Sequence, residues 1–230
     1  MSAARKPGRC LGLVGGLGPG ATIHYYRELV AAHQRQGRSL QVLIAHADIE
    51  RVYAAVNDKD FAGLARYFAG MIADMATGGA EFTAIVAATP HICARELAAL
   101  SRLPLINMLT EVRQAVDAQG LRRVGLLGTR FTIETRMFGC LDGIETIMPD
   151  ACQIERIHEL YKEFVDGRGS DAKADDLRKI AQEFVSRDAA QSVLIAGTDL
   201  SNVFTDSNAD FPMIDCARVH IDAIVRRLLD

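Results

Sequence analysis

A glycine-rich loop, G-G-L-G-P-G-A over residues 15–21, stands between an apolar run and a helical pattern. Loops of this kind aim backbone amides at an anion, and the dipole of the following helix adds to the attraction. Gly16, Gly18 and Ala21 also satisfy the spacing of the dinucleotide fingerprint. Two features weigh against a pyrophosphate. Pro19 removes an amide, and Asp48, the candidate for holding a ribose, lies past the second strand. A small carboxylate-bearing ligand suits the loop better, and a plain strand-to-helix turn is the alternative. Thiol chemistry is the other possibility to weigh. The cysteines are Cys10, Cys93, Cys140, Cys152 and Cys216, an odd number without a C-x-x-C pair. That spacing predicts neither a disulfide framework nor a zinc site, and buried thiols acting as small hydrophobes are the simpler expectation.

The elements that must position such groups follow from hydrophobic periodicity. Strands are predicted over residues 10–14, 40–45, 82–87 and 105–108, with helices over 22–36, 58–78 and 91–101. The rhythm then restarts. Strands are predicted over 124–127, 145–148, 192–196 and 213–214, and helices over 131–141, 154–165, 174–187 and 218–229. Strand–helix alternation gives an α/β fold with mostly parallel sheets covered by helices on both faces. The restart divides the chain into two similar Rossmann-like lobes. Residues 1–108 form the first, joined by the C-terminal helix over 215–230, and residues 109–214 form the second. In such sheets ligands bind beyond the carboxyl ends of the strands, so the residues after each strand are the ones to inspect.

Composition excludes several function classes. The chain has 230 residues, 49% hydrophobic and 24% charged, with a formal net charge of −3. This lacks the basic footprint of a nucleic-acid binder, and the densest basic pair, Arg226 and Arg227, reads as the polar face of the last helix. No apolar run is long enough to cross a bilayer. The first nine residues are short, polar and basic, which predicts no signal peptide and a cytoplasmic protein.

Three segments after strands together resemble the aspartate/glutamate racemase family. The loop over 15–22 resembles the family's G-G-x-G-P-x-A-T. A-A-T-P-H over 87–91 falls where the family has C-N-T-x-H, and G-T-D-L over 197–200 falls where it has C-T-E-L. V-G-L-L-G-T-R-F-T over 124–132 resembles the opening of the family's second lobe. F-P-M-I-D-C-A-R-V-H over 211–220 resembles its closing P-x-x-D-x-x-x-x-H segment. The resemblance runs through nearly the whole chain in order. It implies two α/β lobes related by a pseudo-two-fold, an active-site cleft between them, and a homodimer. It also implies racemase chemistry without pyridoxal phosphate, metal or other cofactor. In the family one thiolate removes an α-proton and the opposite thiol reprotonates the carbanion. Here the two cysteine positions are occupied by Ala87 and Gly197, and neither side chain can carry a proton.

The resemblance leaves other groups in place. His91 and Asp199 are the acid/base candidates, one from each lobe, supported by the hydroxyls of Thr89 and Thr198. Gly16, Leu17 and Ala88 in the loops, with Thr129 and Thr132, are expected to hold the carboxylates of a substrate. Arg51 resembles a family arginine and can pair a distal carboxylate bidentately. Each threonine, and Asp199, can equally be a helix cap, and His220 reads as a tether of the last helix. The expected function is an isomerase of the racemase type, or a lyase, moving a proton on a small (di)carboxylate or amino acid without the two-thiol mechanism. The alternative is a non-catalytic metabolite-binding homologue. The expected partner is that small substrate, with no nucleic acid, membrane or metal.

Overall fold

The computed structural model describes residues 8–205 and 208–230, so most of the polar N-terminal segment lies outside the described residues. The first strands are β1 (Cys10–Gly15), β2 (Gln41–His46), β3 (Phe82–Ile85) and β4 (Leu105–Ile106). They make a parallel sheet in the order β2-β1-β3-β4. The later strands, β5 (Arg123–Leu127), β6 (Glu145–Ile147), β7 (Ser192–Ile195) and β8 (Met213–Asp215), repeat the same order as β6-β5-β7-β8, again parallel. The protein is therefore an α/β fold with two parallel four-stranded sheets among the described residues. The central strands are apolar runs, fully buried along β3 and β7, as expected where helices cover both faces.

Two compact units follow. One comprises residues up to Asn107 together with His220–Asp230, and the other comprises Met108–Val219. Helix α5 (Met108–Ala118) opens the second unit. Helix α9 (Cys216–Leu229) begins in the second unit and belongs to the first from His220 onward.

Helix ends depart from the periodicity for identifiable reasons. Helix α1 (Pro19–Arg35) starts three residues before the predicted position, because proline is tolerated in a first turn whose amides have no intrahelical partner. An unpredicted α2 (Ile49–Asn57) precedes α3 (Phe61–Thr77). Each is capped by an aspartate, Asp48 accepting from the Glu50 and Arg51 amides and Asp60 from the Gly63 amide. The predicted helix over 91–101 is a 3-10 turn, Thr89–Cys93, followed by α4 (Ala94–Leu100). The predicted helix over 131–141 stops early. Helix α6 (Arg130–Glu134) gives way to Arg136, Met137 and Phe138, whose φ values of 48, 54 and 58° lie in the left-handed region. Helices α7 (Ala151–Val165) and α8 (Asp171–Ser186) begin at the side-chain caps Asp150 and Ser170, ahead of their predicted starts.

Candidate functional site

In the first unit the glycine loop leaves β1 and enters α1. At Gly16, φ is +85°, and an added Cβ would come within 2.7 Å of the Ala47 carbonyl oxygen and of His46 Nδ1. Glycine is required there on both counts. The Gly16 amide was expected to face an anion. Instead it donates to Thr22 Oγ1 at 3.1 Å, and the same hydroxyl donates to the Gly18 carbonyl at 3.1 Å. Asp48, already a poor fit for a ribose, is likewise engaged as the cap of α2. Leu17 is buried beside this turn. Arg51 projects from α2 and lies 4.2 Å over the ring of Tyr67, whose hydroxyl accepts from the Asp48 amide at 2.8 Å. The aromatic face thus orients this guanidinium.

After β3 come Ala87 and Ala88, both buried, then half-buried Thr89 and the buried His91. His91 Nδ1 lies 2.8 Å from the Ala87 carbonyl oxygen. A carbonyl only accepts, so Nδ1 carries the ring hydrogen and Nε2 keeps its lone pair. That Nε2 is buried without a hydrogen-bond partner. Burial pushes the pKa of His91 down to about 4. The ring is therefore neutral at neutral pH and closed off from water. Behind it, His220 Nε2–H donates to the Ile106 carbonyl at 2.9 Å, and the Tyr25 hydroxyl donates to its Nδ1 at 3.1 Å. His220 ties the last helix to α1 and β4.

In the second unit Thr129 caps α6 after β5. Its hydroxyl accepts from the Thr132 amide at 3.2 Å and lies 2.8 Å from the Thr132 hydroxyl, which is fully buried. The two residues expected to hold a carboxylate thus bond to each other. After β7, Gly197, Thr198 and Asp199 enter a 3-10 turn, Thr198–Asn202, with Thr198 and Asp199 buried. Asp199 does not cap this turn, since Gly197 holds that position. Its Oδ2 instead accepts from the hydroxyl of Tyr161, on α7, at 3.1 Å. Sequence reading missed Tyr161. Its only sequence signal is Gly197 itself, because glycine after a strand marks a close approach without naming the partner. Ser201 donates to Asp215 Oδ1 at 2.9 Å, and that oxygen also accepts from the Ala217 amide, anchoring the start of α9.

Four of the thiols are biased toward their protonated form. Burial pushes Cys93 and Cys140 up to about 12 and Cys216 well above the ordinary cysteine value. Cys10 is also raised by burial, with Glu81 adding to it. Cys152 is exposed on α7. Among the described residues no group of three or more His, Cys, Asp or Glu side chains is arranged to hold a metal ion, and no helix is long and apolar enough to cross a membrane.

The sequence profile of Asp/Glu/hydantoin racemases matches residues 14–224. The chain belongs to that family. Solved racemase structures share its two-sheet fold. A Yersinia pestis protein assigned as an Asp/Glu racemase is 25% identical and superposes with a TM-score of 0.83, over 96% of this chain and 100% of that one. An aspartate racemase homologue from Pyrococcus horikoshii OT3 is 18% identical, with a TM-score of 0.83 and the same coverage. The aspartate racemase of Picrophilus torridus is 19% identical, with a TM-score of 0.76, over 95% of this chain and 94% of that one.

Ala87 and Gly197, the residues expected to stand at the cysteine positions, occupy equivalent places in the two sheets. Both residues follow the third strand in the order of their sheet, β3 and β7. Ala87 contributes its carbonyl to His91. Gly197 faces the ring of Tyr161, and a Cβ added there would lie 2.5 Å from Tyr161 Cε2.

Proposed function

We propose that this protein is a cofactor-independent isomerase or lyase that moves a proton at the carbon beside a carboxylate, on a small (di)carboxylate or amino acid, without a thiol pair. One observation carries the proposal. Neither the buried Cys93 and Cys216 nor the half-buried Cys140 is available as a thiolate near neutral pH, whereas a carboxylate bonded to a phenol, Asp199 with Tyr161, follows β7 at a strand end. Family membership supports the reaction class, and the racemases among its structural relatives support a carboxylate-bearing substrate. His91, Thr89, Thr198 and the loop residues Leu17 and Ala88 remain the first-unit and second-unit candidates for contact with that substrate, with Arg51 for its distal carboxylate.

The protein is proposed to act as a cytoplasmic homodimer. Ile23 and Tyr26, three residues apart on one face of α1, are 51% and 46% exposed, and Ile44 and Tyr53 are 48% and 50% exposed. Sedimentation at micromolar concentration tests this, and a monomer refutes it.

The reaction is tested by incubating pure protein with each enantiomer of aspartate and glutamate, and with 2-methylsuccinate, in deuterated water. Deuterium entering beside the carboxylate supports the proposal. Ligand-induced thermal stabilisation without exchange identifies a metabolite binder instead.

A further inference from the structure

Gly197 is the residue that most needs explaining in the second unit. Its φ is −122°, which any residue adopts, so backbone conformation does not require glycine. Space does. A Cβ built on it would sit 2.5 Å from Tyr161 Cε2 and 3.3 Å from both Cζ and Oη. The aromatic ring therefore fills the volume that a side chain on residue 197 would enter. Tyr161 arrives from α7, which packs against the turn that carries Asp199, and its hydroxyl donates to Asp199 Oδ2 at 3.1 Å. Asp199 is 9% exposed, so its carboxylate needs a donor. Tyr161 itself is only half-buried.

We infer that Tyr161 is a catalytic residue, a phenol standing in the space of an absent residue-197 side chain and working with Asp199 as one proton-handling couple. This rests on the proposed proton-transfer function and names the groups that perform it. In the abstracting direction the C–H bond beside the substrate carboxylate breaks. Its electron pair moves into that carboxylate to form the enediolate, and its proton goes to Tyr161 Oη. The proton already on Oη moves along the hydrogen bond to Asp199 Oδ2. The couple then holds a neutral phenol and a neutral carboxylic acid. In the returning direction Oη gives its proton to the carbanion and takes back the one on Asp199. Charge and protons balance, the phenol is neutral at both ends, and no oxidant, metal or thiol enters. Tyr161 touches the reacting hydrogen, while Asp199 acts through it.

The test uses the full chain and deuterium exchange from the same panel of aspartate, glutamate and 2-methylsuccinate. Tyr161→Phe keeps the ring and removes only the hydroxyl. The expected result is a loss of at least ~100-fold in kcat for exchange, the scale of a lost general acid–base group, with KM near that of the wild type and a melting temperature lowered only by the lost hydrogen bond to Asp199. Asp199→Asn is expected to slow exchange and to abolish the acid limb of its pH–rate profile, an effect that a merely structural aspartate would not produce. Wild-type exchange with an equally active Tyr161→Phe variant overturns the assignment. So does a variant whose KM rises at constant kcat, since Tyr161 would then only bind. Absence of exchange in the wild-type protein overturns the underlying proton-transfer reading, and the assignment with it.

Discussion

The imidazoles of His91 and His220 meet edge to face, with ring centroids 5.8 Å apart. Burial pushes their pKa values down to about 4 and about 3, and in His220 the neighbouring His91 adds to the effect. The unfolded chain binds protons at both rings near the ordinary value of 6.5. Stability from this pair is therefore complete above that value and declines as pH falls toward the folded-state values. The slope approaches about 1.4 kcal/mol per pH unit for each ring. Urea unfolding from pH 7 down to pH ~4.5 should show this decline, and His220→Gln should make it shallower. An unchanged slope would mean that His220 is not held neutral.

The raised thiol pKa values predict a sharp order of reactivity. A thiol–disulfide reagent at neutral pH should modify exposed Cys152 rapidly and leave buried Cys93 and Cys216 untouched until the chain is denatured. Fast labelling of Cys93 in the native protein would contradict its burial.

A cysteine introduced at residue 197 should not simply create a thiol site. Gly197→Cys drives a side chain into the Tyr161 ring, and overpacking of this kind costs about 1–3 kcal/mol. Tyr161→Ala in the same chain clears the space. A double-mutant cycle by urea denaturation should therefore show the pair to be less destabilised than the sum of the singles. Additive values would show that the two positions do not compete for space.

Arg51 owes its orientation to Tyr67. Tyr67→Phe removes only the hydrogen bond from the Asp48 amide, a loss of about 1 kcal/mol. Tyr67→Ala also removes the face under the guanidinium. In the exchange assay it should raise KM for dicarboxylates with little change in kcat, whereas Tyr67→Phe should leave KM nearly unaltered. Equal KM values for both variants would argue against a distal-carboxylate role for Arg51.

By itself the sequence determined the fold class and the family. Continuous apolar runs such as L-L over 126–127 and V-L-I over 193–195 can only be buried parallel strands when helical periods separate them. The motifs that close β1, β3, β5 and β7 are local, so their chemistry can be read in order along the chain. The same locality pointed to Ala87, Gly197, His91 and Asp199. It missed α2, whose start depends on the Asp48 cap, and it ran a helix through residues 136–138, where the backbone turns left-handed. Only tertiary structure decided how these groups behave. Burial beside His220 makes His91 neutral, and the Thr22 hydroxyl takes the Gly16 amide. Tyr161, far from Asp199 in the chain, is brought by the packing of α7 against the turn after β7. Hydrogen bonds and steric exclusion act across space, and residue spacing along a chain records them only where both partners lie in one element.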